Sequence, residues 1–153
     1  MQFTITRRQL GTTHVCYIDD EDVGKLAGRK WHIQQIRATF YVASRRVYLH
    51  NVIGGALPPG YTWDHINGDG LDNRKENLRP ATHAEQMQNK RSYRGSSSVF
   101  RGVNWWASRR KWRAQCTLNG RLYHLGLFSD EAEAGAVAAA FRAAHMPFAV
   151  PGR

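Results

Sequence analysis

The sequence predicts an α+β protein with a β-rich N-terminal region, a strand, loop, strand, helix module in the middle, and a closing three-stranded antiparallel sheet packed on one helix. Three observations lead there. Short alternating or β-branched runs, separated by turn-prone residues, fill the first third of the chain. Asn119-Gly120 lies between two further runs and is the dipeptide of a type I′ hairpin turn. Behind Ser129 and Asp130 comes an alanine-rich segment that opens with Glu131 and Glu133, the acidic start a helix dipole prefers.

Taken in order, residues 1–6, 14–18, 31–35, 39–43 and 46–50 read as strands. Ala56-Leu57-Pro58-Pro59-Gly60 is a stop and turn that delivers the chain to a strand over 61–65. A loop rich in Gly, Asn and Asp and a returning strand follow. Thr82 and Glu85 have the spacing of a capping box, which opens a helix to about residue 91. Residues 92–98 have linker composition. Strands are then expected at 100–104, 112–118 and 121–128, and a helix at 130–145 capped by Ser129. Alternation turns Trp112, Ala114, Cys116 and Leu118 toward that helix and Arg113, Gln115 and Thr117 away. By the same rule Tyr123, Leu125 and Leu127 face inward, and Leu122 and His124 outward. The expected division is 1–55, 56–91, a linker at 92–99, and 100–153.

Composition narrows the function classes. The longest apolar run, residues 134–141, has eight residues, against about 18 for a membrane span. Residues 1–10 contain no apolar stretch of signal-peptide type, so the expected location is the cytoplasm, with no membrane partner. Two cysteines, Cys16 and Cys116, are too few and too far apart for a disulfide framework or a structural zinc site. The net charge of +10 divides into +2 on residues 1–87 and +8 on residues 88–153. In the basic part the arginines are interleaved with Trp105, Trp106, Trp112, Tyr123 and Phe128, which fits a phosphate polymer as partner. Lys90, Arg91 and Arg94 are placed to add phosphate contacts and steepen the salt dependence.

The middle of the chain carries the chemistry. Asp64 and His65 end a strand, Asn77 arrives on the return, and Gln86 and Asn89 share a helix face. A carboxylate beside a histidine, opposite an amide-bearing helix, can hold one hard divalent ion while the imidazole takes a proton from water. By residue type alone the pattern fits a capped turn as well. A calcium-binding EF-hand loop is excluded: counted from Asp64, Ile66 and Gly68 fall at ligand positions, and counted from Asn67, Leu71 does.

The run from Trp63 to Lys90, DHINGDGLDNRKENLRPATHAEQMQNK with its preceding Trp, resembles the HNH endonuclease family, specifically its phage and intron-associated homing type. Val47-Tyr48-Leu49-His50 and the acidic stretch at 17–22 are similar to the portion that precedes this nuclease. The resemblance implies a ββα-metal module and a metal-dependent double-stranded DNA endonuclease. Magnesium is the expected ion and manganese the alternative. It further implies His65 as general base, Asp64 as metal ligand, and Asn77 as the residue that pins the hairpin and orients the base. Where the family has His or Asn as the second metal ligand, this chain has Gln86, which keeps open the alternative of a DNA-binding protein with an impaired nuclease site. With one active site per chain, a monomer that nicks or a homodimer that cuts both strands is expected.

Residues 100–150 resemble the plant ethylene-response-factor DNA-binding domain. The likeness rests on Phe100-Arg101-Gly102-Val103, Lys111-Trp112-Arg113-Ala114, the run from His124 to Phe128, the Glu- and Ala-rich helix, and Pro147-Phe148-Ala149. That family lays its sheet in the major groove. The resemblance with the alternation above gives Arg101, Asn104, Trp106, Arg109, Arg113, Gln115 and His124 as DNA contacts. Asn104 stands where the family has a second arginine, so the family's site preference is not carried over.

Overall fold

A computed structural model describes residues 1–7, 11–89 and 95–150. The expected phosphate contacts Lys90, Arg91 and Arg94 lie outside the described residues. The fold is mixed α+β, built from several small antiparallel sheets and few helices, and it divides into two compact units, Met1–His83 and Ala84–Arg153.

In the first unit, β1 (Gln2–Arg7) pairs antiparallel with β2 (Thr12–Tyr17), placing Ile5 opposite His14. A 3-10 helix, Asp20–Leu26, leads to a sheet of β3 (His32–Ile36), β4 (Thr39–Ser44) and β5 (Val47–Tyr48). Arg37 and Arg45, at the hairpin turns, take left-handed backbone with φ of 54° and 56°. The expected strand over 46–50 is only two residues long and gives way to a helix, α1 (Leu49–Gly54). The physical reason is the spacing of Leu49 and Ile53, four apart and both buried, which places them on one helical face; Gly55 at φ 81° ends the helix. β6 (Tyr61–His65) and β7 (Leu78–Thr82) form a separate antiparallel hairpin. One core unites these pieces: Cys16, Ile18, Ile33, Val42, Leu49, Ile53, Leu71 and Leu78, flanked by Phe3, Phe40 and Trp63. The loop between β6 and β7 is thereby packed against β2 and is no free excursion.

Helix α2 (His83–Gln88) ends earlier than the expected residue 91, and Asn89 is already a turn. In the second unit the sheet order is β10 (Arg121–Phe128), β9 (Lys111–Leu118), β8 (Val103–Trp106). Asn119 and Gly120 join β9 to β10 with φ of 51° and 78°, the two positive values that a type I′ turn demands. Helix α3 (Glu131–His145) covers one face, where Val103, Ala114, Ala134 and Ala138 are buried with Trp112, Leu125 and Phe128 around them. Its cap is Asp130 and not Ser129. The Asp130 carboxylate accepts the Glu133 backbone N–H at 2.8 Å, while Ser129 Oγ meets Lys111 Nζ at 2.5 Å.

Strand alternation holds on β9, where Ala114 and Cys116 are buried, and breaks on β10. The pairing with β9 slips between His124 and Gly126, the latter at φ 138°, so two residues of β10 oppose one of β9. Beyond the bulge the faces exchange. Leu127, expected in the core, is 44% exposed, and Phe128 packs inward instead. Among the described residues no helix is long and apolar enough to cross a membrane.

Candidate active site

His65 closes β6 and is 6% exposed. Its backbone carbonyl accepts the Gly68 N–H at 2.8 Å, and the next residue, Ile66, donates to the carbonyl of Asn77 at 2.9 Å. The Asn77 side chain does the rest of the pinning. Its Oδ1 accepts the Asn67 N–H at 2.9 Å and its Nδ2 donates to the Asp72 carbonyl at 2.7 Å, both inside a 6%-exposed site. The loop is further locked by Asp72, whose carboxylate accepts Asn67 Nδ2 and Arg74 Nε and Nη2, each at 2.8 Å. The Arg74 hydrogen bonds hold that carboxyl below the usual range despite partial burial. From the N-terminal strands, Tyr17 donates its N–H to Leu71 and accepts that of Asn73, and Asp19 accepts the Lys75 N–H at 2.8 Å. A polar, glycine-containing loop is thus held in one conformation by named side chains.

One side-chain partner of the His65 ring is Asn73, a residue to which the sequence alone assigned no role. Asn73 is fully buried, and its Oδ1 lies 3.3 Å from His65 Nε2. With that oxygen accepting, Nε2 carries the proton and the ring's lone pair sits on Nδ1, which is the nitrogen able to accept a proton. Tyr41, Tyr48 and His50 complete the surround: His50 stacks on Tyr48 at 5.3 Å and meets His65 edge-on at 5.1 Å, and Tyr41 lies 6.0 Å from both histidines. Burial pushes His50 down to about 4, with the nearby His65 adding to the shift. His65 is also lowered by burial, although Asn73 and the carboxylates of Asp64, Asp69 and Asp72 pull it back. Both rings are therefore neutral at pH 7, the state a general base requires.

Asp64 faces Arg79 across the β6–β7 ladder, and its Oδ2 accepts Nε and Nη2 at 3.1 and 3.0 Å. This pairing was readable only once the register was fixed. Asp64 is the carboxylate this end of β6 offers, and among the described residues no three His, Cys, Asp or Glu side chains converge as a metal cluster. A single carboxylate fits an ion such as magnesium, which takes one or two carboxylates and completes its octahedron with water and phosphate, and does not fit an all-protein cage. Gln86, half-buried, stands on α2 in the second unit.

On the second unit's sheet, the face turned away from α3 gathers several of the expected DNA contacts. Asn104 pairs with Arg113 and Gln115 with His124 across the strands, and Arg113 Nε reaches Asn104 Oδ1 at 3.4 Å. Trp106, 36% exposed, lies under two guanidinium groups, Arg113 at 5.2 Å and Arg109 at 5.8 Å from its ring centre. Arg101 stands apart from this cluster. It is half-buried and donates from Nη1 and Nη2 to the carbonyls of Gln88 and Met87 at the end of α2, at 2.5 and 3.0 Å.

Residues 46–88, spanning α1 and the β6–β7 hairpin and ending with α2, match the HNH endonuclease family. The chain is also similar to Protein 3.8 of Escherichia phage T7, with 33% identity over 86 residues that cover 56% of this chain and 71% of that protein. No solved structure matches. The chain belongs to the family of phage T7 Protein 3.8 and carries an HNH endonuclease domain in which His65, Asn73 and Asn77 share one buried hydrogen-bonded hairpin.

Proposed function

We propose that the protein is a metal-dependent endonuclease that hydrolyses phosphodiester bonds in double-stranded DNA, of the phage or homing type. The observation that carries the proposal is the buried His65, kept neutral by its surroundings and fixed through Nε2 by Asn73 in a hairpin that belongs to an HNH endonuclease match. In this reading the hairpin is the ββ part of a ββα-metal module with α2 as its helix. His65 accepts a proton from the attacking water at Nδ1, and Asn77 holds the loop that aims the ring. Asp64 serves as metal ligand, with Gln86 the second, four residues after Thr82 as the family motif spaces it. A bound magnesium or manganese ion supplies Lewis-acid charge stabilisation at the scissile phosphate.

The second unit is the grip. Its sheet and helix are proposed as an ethylene-response-factor-like DNA-binding domain over residues 100–153, with Asn104, Trp106, Arg109, Arg113, Gln115 and His124 facing the duplex. The charge of +8 on residues 88–153 supports this division of labour. Arg101 serves in this reading as the residue that holds the end of α2. The working location is a bacterial host cytoplasm, as monomer or homodimer.

A second reading, a DNA-binding protein with an impaired nuclease site, is favoured by two observations. Gln86 replaces the family's His or Asn, and the Asp64 carboxylate is already engaged by Arg79. Plasmid cleavage with and without Mg²⁺, using wild type and Gln86→Asn, separates the two. Metal-dependent cutting by wild type establishes the nuclease. Cutting by Gln86→Asn alone establishes the impaired site, and cutting by neither, with duplex binding intact, removes the enzyme reading.

A further inference from the structure

The second unit contains a cleft of about 720 Å³ whose lining includes Arg101, Arg113 and Arg142, with Ser96, Asn104 and Gln115 as neutral polar groups and, among the described residues, no acidic side chain. Two of these arginines are unusual. Arg142, on α3, is 8% exposed, and Arg101 is half-buried. Among the described residues neither is in an ion pair with a carboxylate. Arg142 Nη1 donates to the carbonyl of Arg101 at 2.6 Å and the Arg142 side chain is also hydrogen-bonded to that of Cys116, while Arg101 donates to the carbonyls of Met87 and Gln88. In the first unit Arg74 and Arg79 are paired with Asp72 and Asp64, whereas the half-buried Arg7 and Arg113 are hydrogen-bonded to the side chains of Gln35 and Asn104.

A buried guanidinium without a counter-charge is costly, and two side by side are more so. Burial and mutual repulsion lower the proton affinity of Arg101, and burial lowers that of Arg142. Carbonyl dipoles offset this only in part. Gly102, between the strand and the two arginines, has φ 82°, and a side chain there would meet the Gln115 carbonyl at 2.5 Å and Arg142 Nη1 at 3.5 Å. The missing side chain leaves Arg142 in reach of the cleft.

The geometry points to an anion site in this cleft that takes a phosphate group of the bound DNA strand, with Arg142 as its innermost ligand and Arg101 and Arg113 beside it. Arg101, Arg113 and Arg142 all line the cleft, and the planar fork of a guanidinium suits the oxygens of a phosphate. The volume admits a nucleotide-sized unit and is far larger than one ion requires. The strand as source rests on the DNA-binding reading above, whereas phosphate binding itself does not.

Titration of the intact protein with inorganic phosphate, followed by amide NMR, tests the site directly. Shifts are expected at Arg101, Gly102, Cys116 and Arg142, retained in Arg142→Lys and weakened about tenfold or more in Arg142→Gln. Circular dichroism melts establish that each variant is folded, and the wild-type titration decides the matter even if a variant is not. Absence of shifts at these residues in wild type overturns the anion site. A short duplex that binds, by fluorescence anisotropy, and abolishes the phosphate response supports the DNA strand as source. A duplex that binds and leaves the response untouched overturns that source and points to free phosphate or a nucleotide. Failure of the duplex to bind at all is a failure of the DNA-binding reading and removes the strand as source, leaving the phosphate site standing on its own shifts.

Discussion

Asn77 shows how a single side chain sets the geometry of the site. It satisfies one backbone donor and one backbone acceptor in a nearly buried position, so truncation leaves both without partners. Asn77→Ala is expected to destabilise the first unit by about 2–4 kcal/mol, measured by urea denaturation, with a much smaller effect on the second unit. Two titratable groups give pH predictions. His50 has its proton affinity lowered on folding to about 4, so its contribution is present above its ordinary value of 6.5 and is lost as pH falls from 6.5 to about 4. Unfolding midpoints should fall across that window, more shallowly in His50→Gln. Cys16 is shifted the other way, to about 12, chiefly by burial. At pH 8 it carries almost no thiolate, so a thiol reagent should label it only on unfolding, as mass spectrometry of native and denatured protein would show. At this scale the sequence offered Asp64, His65 and Asn77 as candidates through the likeness to the nuclease motif, since by residue type alone they fit a capped turn as well. Asn73 and Arg79 were hidden, since their roles depend on loop closure and strand register.

At the scale of elements, most of the fold was legible from local chemistry. The Asn119-Gly120 turn, the three strands of the second unit and the alanine-rich helix follow from turn residues, alternation and an acidic helix start. The misses have local causes that single-residue patterns carry weakly. Leu49 and Ile53 fit helical spacing, yet the β-branched residues around them suggested a strand. A bulge at Gly126 adds one residue and reverses the faces beyond it, which no alternation rule anticipates. The cap of α3 offers a test: Asp130→Ala should cost about 1 kcal/mol and lower the melting temperature of the second unit, with a smaller effect from Ser129→Ala. Equal effects would mean the cap is shared.

Across the whole molecule, the uneven charge is the observation behind the proposed division between holding DNA and cutting it. Residues 1–87 are nearly neutral and contain the His65 hairpin, whereas residues 88–153 carry +8 and the Trp106 platform. Arg113→Ala is expected to weaken duplex binding and to reduce the slope of log affinity against log salt by about one, and Trp106→Ala to weaken binding with little change of slope. Anisotropy titrations at several salt concentrations measure both. The charge division was readable from the sequence; the packing of the hairpin loop into the core of the N-terminal strands was not, because it is set by contacts between residues far apart in sequence. His65 is proposed as the base of a metal-dependent DNA nuclease. The most direct test is the Mg²⁺-dependent cleavage rate of wild type and His65→Ala on one bound DNA. A loss of about 100-fold or more with duplex affinity unchanged is expected; cleavage by His65→Ala at the wild-type rate would contradict the role of His65 as base.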